Sequence, residues 1–280
     1  LSFVNSNLRK GIRQVLFCQR LETHLETFKG DSMKIGIAGY GYVGQAHELI
    51  LKDYHDIIIS DPAKNQYGNL KHADAIIVCV STPSSANGYC DVSNVCDVID
   101  ESPSVPILIK STISCEGWRL IVDTCKNKDI TFSPEYLRAK HWNKDIVDNK
   151  DWYLGGASIQ FWSDVLLNAL GKINISINEP EELIMAKQLR NSFLALKVTF
   201  FNQVYDFCKA QEIDYESVRK NIVADKRIGE SHSQVTDERG FGGHCFPKDT
   251  LATVRSAQVS GGRITLLEEA LEYNDKVKNI

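Results

Sequence analysis

The sequence predicts an α/β chain: a doubly wound parallel sheet followed by an all-helical domain. Three observations carry that reading. Short apolar runs alternate with helical stretches from residue 34 to residue 177, the pattern of βα units on a parallel sheet. Gly39-Tyr40-Gly41-Tyr42-Val43-Gly44 stands between the first apolar run and the first helical stretch, where a tight turn and a close backbone approach are needed. From Glu181 to Ala210 there is no glycine or proline, and apolar residues recur three or four apart, as on one long helix. The expected divisions are residues 1–32, 33–178 and 179–280.

A chain of 280 residues is long enough for two domains. Its net charge of −4 offers no bulk attraction to nucleic acid or an anionic membrane. No apolar run reaches the ~18–20 residues of a membrane span. The eight cysteines form no C-x-x-C pair and no cluster with histidine at metal-ligand spacing, so no metal site is expected. Several lie in apolar runs, as Cys79 does in residues 75–80. Most are read as core thiols in a reducing compartment, the cytoplasm.

Residues 1–32 read as separate from the rest of the chain. The chain begins with Leu1, and Met33-Lys34-Ile35 resembles a natural start. Ile12, Val15, Leu16 and Leu25 would support a short helix ending at Gly30-Asp31. There is no basic, apolar and small-residue signal pattern. A leader or expression remnant with no part in the chemistry is expected; a docking helix for a partner is the functional alternative.

Lys34–Ala38 is the first strand, and the helix Val43–Lys52 follows the glycine loop. In G-x-G-x-x-G the glycines allow the turn, admit a pyrophosphate against the backbone and let helix pack on strand, with the helix N-terminus facing the phosphate. The second strand, Asp56–Ser60, ends at Asp61, seventeen residues after Gly44. An acid there accepts hydrogen bonds from the ribose hydroxyls of NAD and repels the extra phosphate of NADP. Loop and acid together predict a Rossmann-type domain that binds NAD; a glycine-rich turn that binds nothing is the bland alternative. Further strands are expected at Asp74–Val80, Pro106–Lys110, Ile130–Ser133, Trp152–Leu154 and Ile173–Ile177, with helices at Asp91–Glu101, Cys115–Lys126 and Ser158–Leu170. Ligands of such sheets sit beyond the carboxyl ends of the strands. Thr82, Thr112 and Glu135 fall there, which makes one site of three residues that would individually read as caps or turns.

The long helix, near thirty residues and roughly 45 Å at 1.5 Å per residue, suits a central spine or a dimer interface. Lys187 and Asn191 are four apart on it and share a face; the bland reading is a solvated lysine beside a polar neighbour. Tyr215–Val223, Pro247–Val259 and Leu266–Lys278 are the remaining helices. Between them runs Gly240-Phe241-Gly242-Gly243-His244-Cys245-Phe246-Pro247-Lys248-Asp249. Its glycines let the backbone bend, and Pro247 suits a first helical turn. The stretch reads as a loop that delivers Cys245 to a helix mouth beside Lys248, a setting that favours thiolate over thiol. A buried, inert cysteine in a glycine-rich turn is the alternative.

Taken together these residues resemble the UDP-glucose/GDP-mannose dehydrogenase family, from Met33 to near the C-terminus. The most specific part is Gly-Phe-Gly-Gly-x-Cys-x-Pro-Lys-Asp at 240–249. Supporting it are the glycine loop at 39–44, Ser81-Thr82-Pro83, Lys110-Ser111-Thr112, Ser133-Pro134-Glu135-Tyr136-Leu137-Arg138, Lys187-x-x-x-Asn191-x-Phe193-Leu194-Ala195-x-Lys197 and Arg227-Ile228-Gly229.

The resemblance implies an oxidoreductase that oxidises C6 of a nucleotide sugar twice, to the carboxylate, with two NAD reduced, most simply UDP-glucose to UDP-glucuronate. Cys245 would attack the intermediate aldehyde, and the thiohemiacetal would be oxidised to a thioester that water hydrolyses. Lys187 and Asn191 would stabilise the oxygen anion, Asp249 with Thr112 would hold water and shuttle protons, and Glu135 would serve hydrolysis. The cofactor would be held by Gly39, Tyr40, Gly41, Tyr42, Val43, Gly44, Asp61, Thr82, Thr112 and Lys248. The substrate would meet Glu135, Leu137, Lys187, Asn191, Gly242 and Arg227, the last reaching into a partner's site across a homodimer built on residues 181–210. Two departures stand out. The family usually has a second glutamate four residues after the first, and here that position is Ala139. Family members also continue into a second Rossmann-like domain that covers the nucleotide, whereas this chain stops at Ile280, as a compact form, a fragment or half of a split enzyme. Competing readings are a two-electron β-hydroxyacid dehydrogenase, which needs no Cys245, and a non-catalytic NAD-binding dimer.

Overall fold

A computed structural model describes residues 32–85, 88–243 and 245–278. The expected leader, apart from Ser32, and His244 of the cysteine stretch lie outside the described residues. The chain divides into two compact units. The first comprises the chain up to Val80, Val95–Ser111 and Cys125–Leu183; the second comprises Ser81–Asn94, Thr112–Thr124 and the chain from Ile184 on. Two segments that follow strands in sequence thus belong with the second unit rather than with the sheet.

The sheet has eight strands: β1 (Lys34–Ala38), β2 (Asp56–Asp61), β3 (Gln66–Tyr67), β4 (Ala75–Val78), β5 (Ile107–Ile109), β6 (Ile130–Phe132), β7 (Asp151–Gly156) and β8 (Asn174–Ile177). Their order is β3-β2-β1-β4-β5-β6-β7-β8. β1 pairs in parallel with β2 on one side, Ile37 opposite Ile59, and with β4 on the other, Ile37 opposite Ile77. The winding reverses between β1 and β4, so the crevice for a ligand opens at their carboxyl ends. Ile35, Ile37, Ile76, Ile77, Leu108 and Ile109 are all but fully buried, as expected for strands covered on both faces. The helices α1 (Tyr42–Leu51), α2 (Ser93–Glu101), α3 (Cys115–Thr124), α4 (Trp142–Asp148) and α5 (Ile159–Leu170) follow in chain order. Trp162, Val165 and Leu166 of α5 close the core with Ala46, Ile50 and Leu51 of α1.

Three features differ from the sequence reading. β3 is a two-residue antiparallel edge on β2, too short to show alternation. α4 is seven residues long with one buried residue, Ile146, so its apolar stripe has no period to detect. β7 runs antiparallel to β6 and extends into Gly155-Gly156 rather than stopping before them. The glycines make that approach possible. A Cβ at Gly156, whose φ is +122°, would stand 2.4 Å from the Ile130 carbonyl oxygen, and one at Gly155 would stand 2.5 Å from that of Asn178.

The remaining helices are α6 (Pro180–Ala210), α7 (Tyr215–Val223), α8 (Phe246–Val259) and α9 (Thr265–Lys278). α6 runs 31 residues, about 46 Å at the helical rise. Pro180 sits where a helix tolerates proline, Glu181 and Glu182 occupy the positive first turn, and Lys209 the last. Asp214 caps α7 by accepting from the backbone N–H groups of Glu216 and Ser217. Ala195 of α6, Phe241 and Ala270 of α9 form one buried apolar cluster of the second unit. The segments 81–94 and 112–124 are held to α8: Arg255 lies 5.4 Å from the ring centre of Tyr89, and Ser256 Oγ donates to Glu116 at 2.9 Å. No helix among the described residues is long and apolar enough to cross a membrane.

Candidate functional site

In the sheet unit, each glycine of the loop after β1 has its own reason. Gly39 has φ +89°, and a Cβ there would lie 2.7 Å from the Cys79 carbonyl. At Gly44 a Cβ would lie 2.2 Å from the Gly39 carbonyl oxygen, so glycine is what lets α1 pack on β1. At Gly41 a Cβ would meet nothing within 4 Å. The fold therefore does not require Gly41, and the open space beside it would let a ligand approach the backbone at the start of α1. Gly41 is the N-cap of α1 and provides no side-chain cap, so the positive end of the helix faces the loop.

The loop is tied to the end of β2. Tyr40 N–H donates to Asp61 Oδ2 at 2.7 Å, and Lys64 Nζ donates to the Tyr40 carbonyl at 2.7 Å. The Tyr40 hydroxyl donates to the Glu48 carboxylate, which pushes the phenol up to about 12. Val43 accepts from His47 Nδ1–H at 2.8 Å. A cavity of about 320 Å³ is lined by Gly39, Asp61, Pro62, Leu70, Val80 and Val98 among others. It lies at the switch point and holds the acid predicted for a ribose. These residues fit a dinucleotide: an open glycine at a helix N-terminus for the pyrophosphate, an acid beside it, and apolar walls.

The same unit holds Glu135, buried just past β6. Its Oε1 accepts from Leu137 N–H at 2.6 Å, and its Oε2 stands 3.6 Å from Lys110 Nζ. The Lys110 ammonium donates to Ser133 Oγ at 3.1 Å and to the Pro134 carbonyl at 3.0 Å.

In the helical unit, five of the predicted residues are linked in series by three hydrogen bonds and one ion pair. Asp249 on α8 is fully buried, and its Oδ2 accepts from Asn191 Nδ2 at 2.6 Å. Asp249 Oδ1 is 3.5 Å from Lys248 Nζ and has no hydrogen-bond partner, so this carboxylate keeps an acceptor for a water or substrate proton. Lys248 Nζ donates to Thr82 Oγ1 at 3.4 Å and lies 3.7 Å from Cys90 Sγ. Thr82 Oγ1 donates to the Thr112 carbonyl at 2.5 Å. Lys187, one turn before Asn191, is buried as well, so neither is the solvated surface pair of the bland reading. Cys245 is the N-cap residue of α8, with Pro247 in the first turn, and its carbonyl accepts from Asp249 N–H at 2.8 Å. Cys245 is half-buried, whereas Cys90, Cys115, Cys125 and Cys208 are buried.

The loop before Cys245 is held from behind. Phe241 is buried and its N–H donates to Asn274 Oδ1 at 2.6 Å. Gly240 N–H and Arg239 Nε donate to Asn202 Oδ1 at 3.0 and 2.9 Å. Gly240 has φ +56°, and a Cβ there would stand 2.3 Å from Asn274 Oδ1. At Gly242 a Cβ would lie 2.7 Å from Lys278 Nζ, while Gly243, with φ +75°, has open space. Arg227 stands apart from these hydrogen bonds: it is exposed and forms a forked pair with Asp225. Sequence reasoning missed Lys110, Asn202 and Asn274 as organisers. Lys110 left a trace only as part of the Lys110-Ser111-Thr112 motif.

The fold and these residues define a Rossmann-type chain with a helical domain that carries a cysteine at a helix mouth. A family model described as the UDP-glucose/GDP-mannose dehydrogenase family, central domain, matches residues 181–276. A UDP-glucose 6-dehydrogenase from Rhizobium meliloti (strain 1021) is 27% identical over 303 aligned residues, covering 88% of this chain and 68% of that protein. One from Rickettsia bellii (strain RML369-C) is 32% identical over 199 residues, covering 65% of this chain and 45% of that protein. The structure of a UDP-glucose dehydrogenase from Pyrobaculum islandicum matches with a TM-score of 0.76 at 22% identity, over 89% of this chain and 69% of that one; this likeness is one of fold. Residues 181–276 carry the central domain of the UDP-glucose/GDP-mannose dehydrogenase family, and the chain as a whole is similar to UDP-glucose 6-dehydrogenases. It spans between about half and two thirds of the length of these relatives.

Proposed function

We propose that the chain is an NAD-dependent oxidoreductase of nucleotide sugars, converting UDP-glucose to UDP-glucuronate in a four-electron oxidation through a thioester on Cys245. The observation that carries this reading is the buried Asn191–Asp249 pair one helical turn past Cys245. A simple alcohol dehydrogenase has no use for a cysteine at a helix mouth with a buried carboxylate on the next turn. When bound, NAD supplies the hydride acceptor for each oxidation. Gly39, Gly41 and Gly44, with Tyr40, Tyr42, Val43 and Asp61, would hold it; Thr82, Thr112 and Lys248 are the further residues that the resemblance implies for it.

The roles are those the family resemblance implies, and the charge of each group suits its part. Lys187 and Asn191 donate to the C6 oxygen as negative charge develops on it. Asp249 takes the alcohol proton at its Oδ1. Cys245 Sγ adds to the aldehyde carbon, the carbonyl π pair going to oxygen, and the thiohemiacetal gives up a second hydride to become the thioester. Glu135 takes a proton from water as the water oxygen adds to the acyl carbon; the C–S bond breaks with its pair on sulfur. One alcohol, two NAD⁺ and one water give one carboxylate, two NADH and three protons. Glu135, Leu137, Gly242 and Arg227 complete the substrate contacts.

A homodimer through α6 belongs to the same proposal. Leu189, Phe193, Phe200 and Phe207 are exposed on α6, and the three phenylalanines recur every seven residues along one face, an apolar seam that a second copy would cover. Arg227 would then act in the partner's site. The test is NADH formed per UDP-glucose consumed, with GDP-mannose in parallel. Two NADH per UDP-glucose supports the reading, one means a two-electron dehydrogenase, and none with bound NAD means a binding module.

A further inference from the structure

Lys110 is a buried cation for which the proposed chemistry has so far no use. It follows β5 directly, and its side chain is 2% exposed, that of Glu135 8%. Titratable and aromatic groups meet around it. His47 lies on α1, its ring edge-on to Trp152 of β7 with centroids 6.2 Å apart. Burial first, and Lys110 second, lower His47 to about 4, so it is neutral near pH 7. Burial likewise pushes the Cys79 thiol far up, so it too is uncharged. Lys110 is therefore the cation facing Glu135. It is itself anchored three ways: to Ser133 Oγ, to the Pro134 carbonyl, and over the Trp152 ring at 5.2 Å.

A buried ion pair is a poor device for stability, since apolar residues of similar volume serve as well or better. This one lies past the carboxyl ends of β5 and β6, the edge where ligands of such sheets react. Both oxygens of Glu135 are engaged, Oε1 by Leu137 N–H and Oε2 by the ammonium. The carboxylate is thereby fixed in one rotamer without any contact from Lys110 to substrate being required.

We propose that Lys110 is a positioning residue: its buried ammonium fixes the Glu135 carboxylate in the orientation from which it deprotonates the water that hydrolyses the thioester. This rests on the function proposed above. In that step the water oxygen bonds to the acyl carbon, its proton passes to Glu135, and the C–S bond breaks to return the thiolate.

The test is rapid mixing of the chain and of Lys110→Met with NAD and UDP-glucose. A positioned general base contributes about 10²–10⁴-fold. The variant is therefore expected to keep the wild-type burst of NADH, with a following steady state about 100-fold slower and unchanged KM for NAD. A folded variant that loses burst and steady state in proportion overturns the proposal, as does an unaltered steady state. Should Lys110→Met fail to fold, Ser133→Ala, which removes one anchor of the ammonium, must show the same preserved burst with a steady state about 10-fold slower; an unaltered rate overturns the role. A wild-type chain that forms no NADH overturns the proposed function itself. A normal wild-type burst with an unaffected variant overturns only the part given to Lys110.

Discussion

Gly41 and Gly44 lie in one loop and should respond to alanine in opposite ways. At Gly44 the new Cβ would stand 2.2 Å from the Gly39 carbonyl oxygen, more than an ångström inside ordinary contact, and the obstacle is backbone. Relief requires α1 to move off β1. Overpacking of this kind costs typically 1–3 kcal/mol, and a rigid obstacle puts Gly44→Ala at about 3 kcal/mol. For a chain of this size that is a fall in Tm of roughly 6–12 °C. At Gly41 the Cβ meets no protein atom within 4 Å and φ is −69°. The fold should lose at most about 1 kcal/mol, the difference between glycine and alanine as an N-cap. The same methyl stands where a pyrophosphate would approach the helix N-terminus, so affinity for NAD should fall about 100-fold or more. Thermal unfolding without ligand and NAD titration by calorimetry separate the two effects. If Gly41→Ala binds NAD like the wild type, the loop is not the cofactor cradle. If Gly44→Ala unfolds at the wild-type temperature, the packing argument is wrong.

Further outcomes rest on single contacts. Asn274→Ala removes the acceptor for Phe241 N–H, a buried donor, and should lower stability by about 1–3 kcal/mol; it should also quicken alkylation of Cys245, measured by mass spectrometry, because the loop loses its rear anchor. His47 is buried neutral at about 4 when folded, against an ordinary 6.5. Its unfolded form binds the extra proton between those values, so stability is present above pH 6.5 and is lost as pH falls from 6.5 towards 4. The loss is about 3 kcal/mol; His47→Phe should flatten that part of the pH–stability curve. Replacing Phe193 and Phe200 by glutamate should halve the mass by light scattering if α6 is the dimer seam; an unchanged mass would move the interface elsewhere.

Legibility in the sequence depended on chain length per signal. The glycine loop, Asp61 and the long helix are readable because each is local: a strand, a turn and a helix within thirty residues. Tyr215–Val223 matches to the residue because Asp214 is an N-cap and no competing break precedes Ala224. β3 and α4 are not readable, since two residues and seven residues carry no period. The reversal of β7 turns on Gly155-Gly156, and glycine at a strand end reads equally as a stop. For the candidate residues, sequence names Asn191 and Asp249 separately. It does not supply their 2.6 Å bond, which joins positions 58 apart, nor the contact from Lys248 to Thr82, 166 residues away. The resemblance implies that Asp249 and Thr112 hold a water; the structure adds that Asp249 accepts from Asn191 and that Thr82 donates to the Thr112 carbonyl. Lys110 stands out in sequence only as part of a motif, because burial of a lysine is a property of the fold and not of the residue.

The central claim is a covalent sugar on Cys245, and trapping it is the most direct test. Glu135→Gln, in which the group given to hydrolysis is removed, would be mixed with NAD and UDP-glucose, quenched in acid and digested for mass spectrometry. The account predicts a uronyl adduct on the peptide containing Cys245, formed with two NADH per adduct and missing from the Glu135→Gln, Cys245→Ala double variant. NADH formation with an unmodified Cys245 peptide, or an adduct that survives Cys245→Ala, would contradict it.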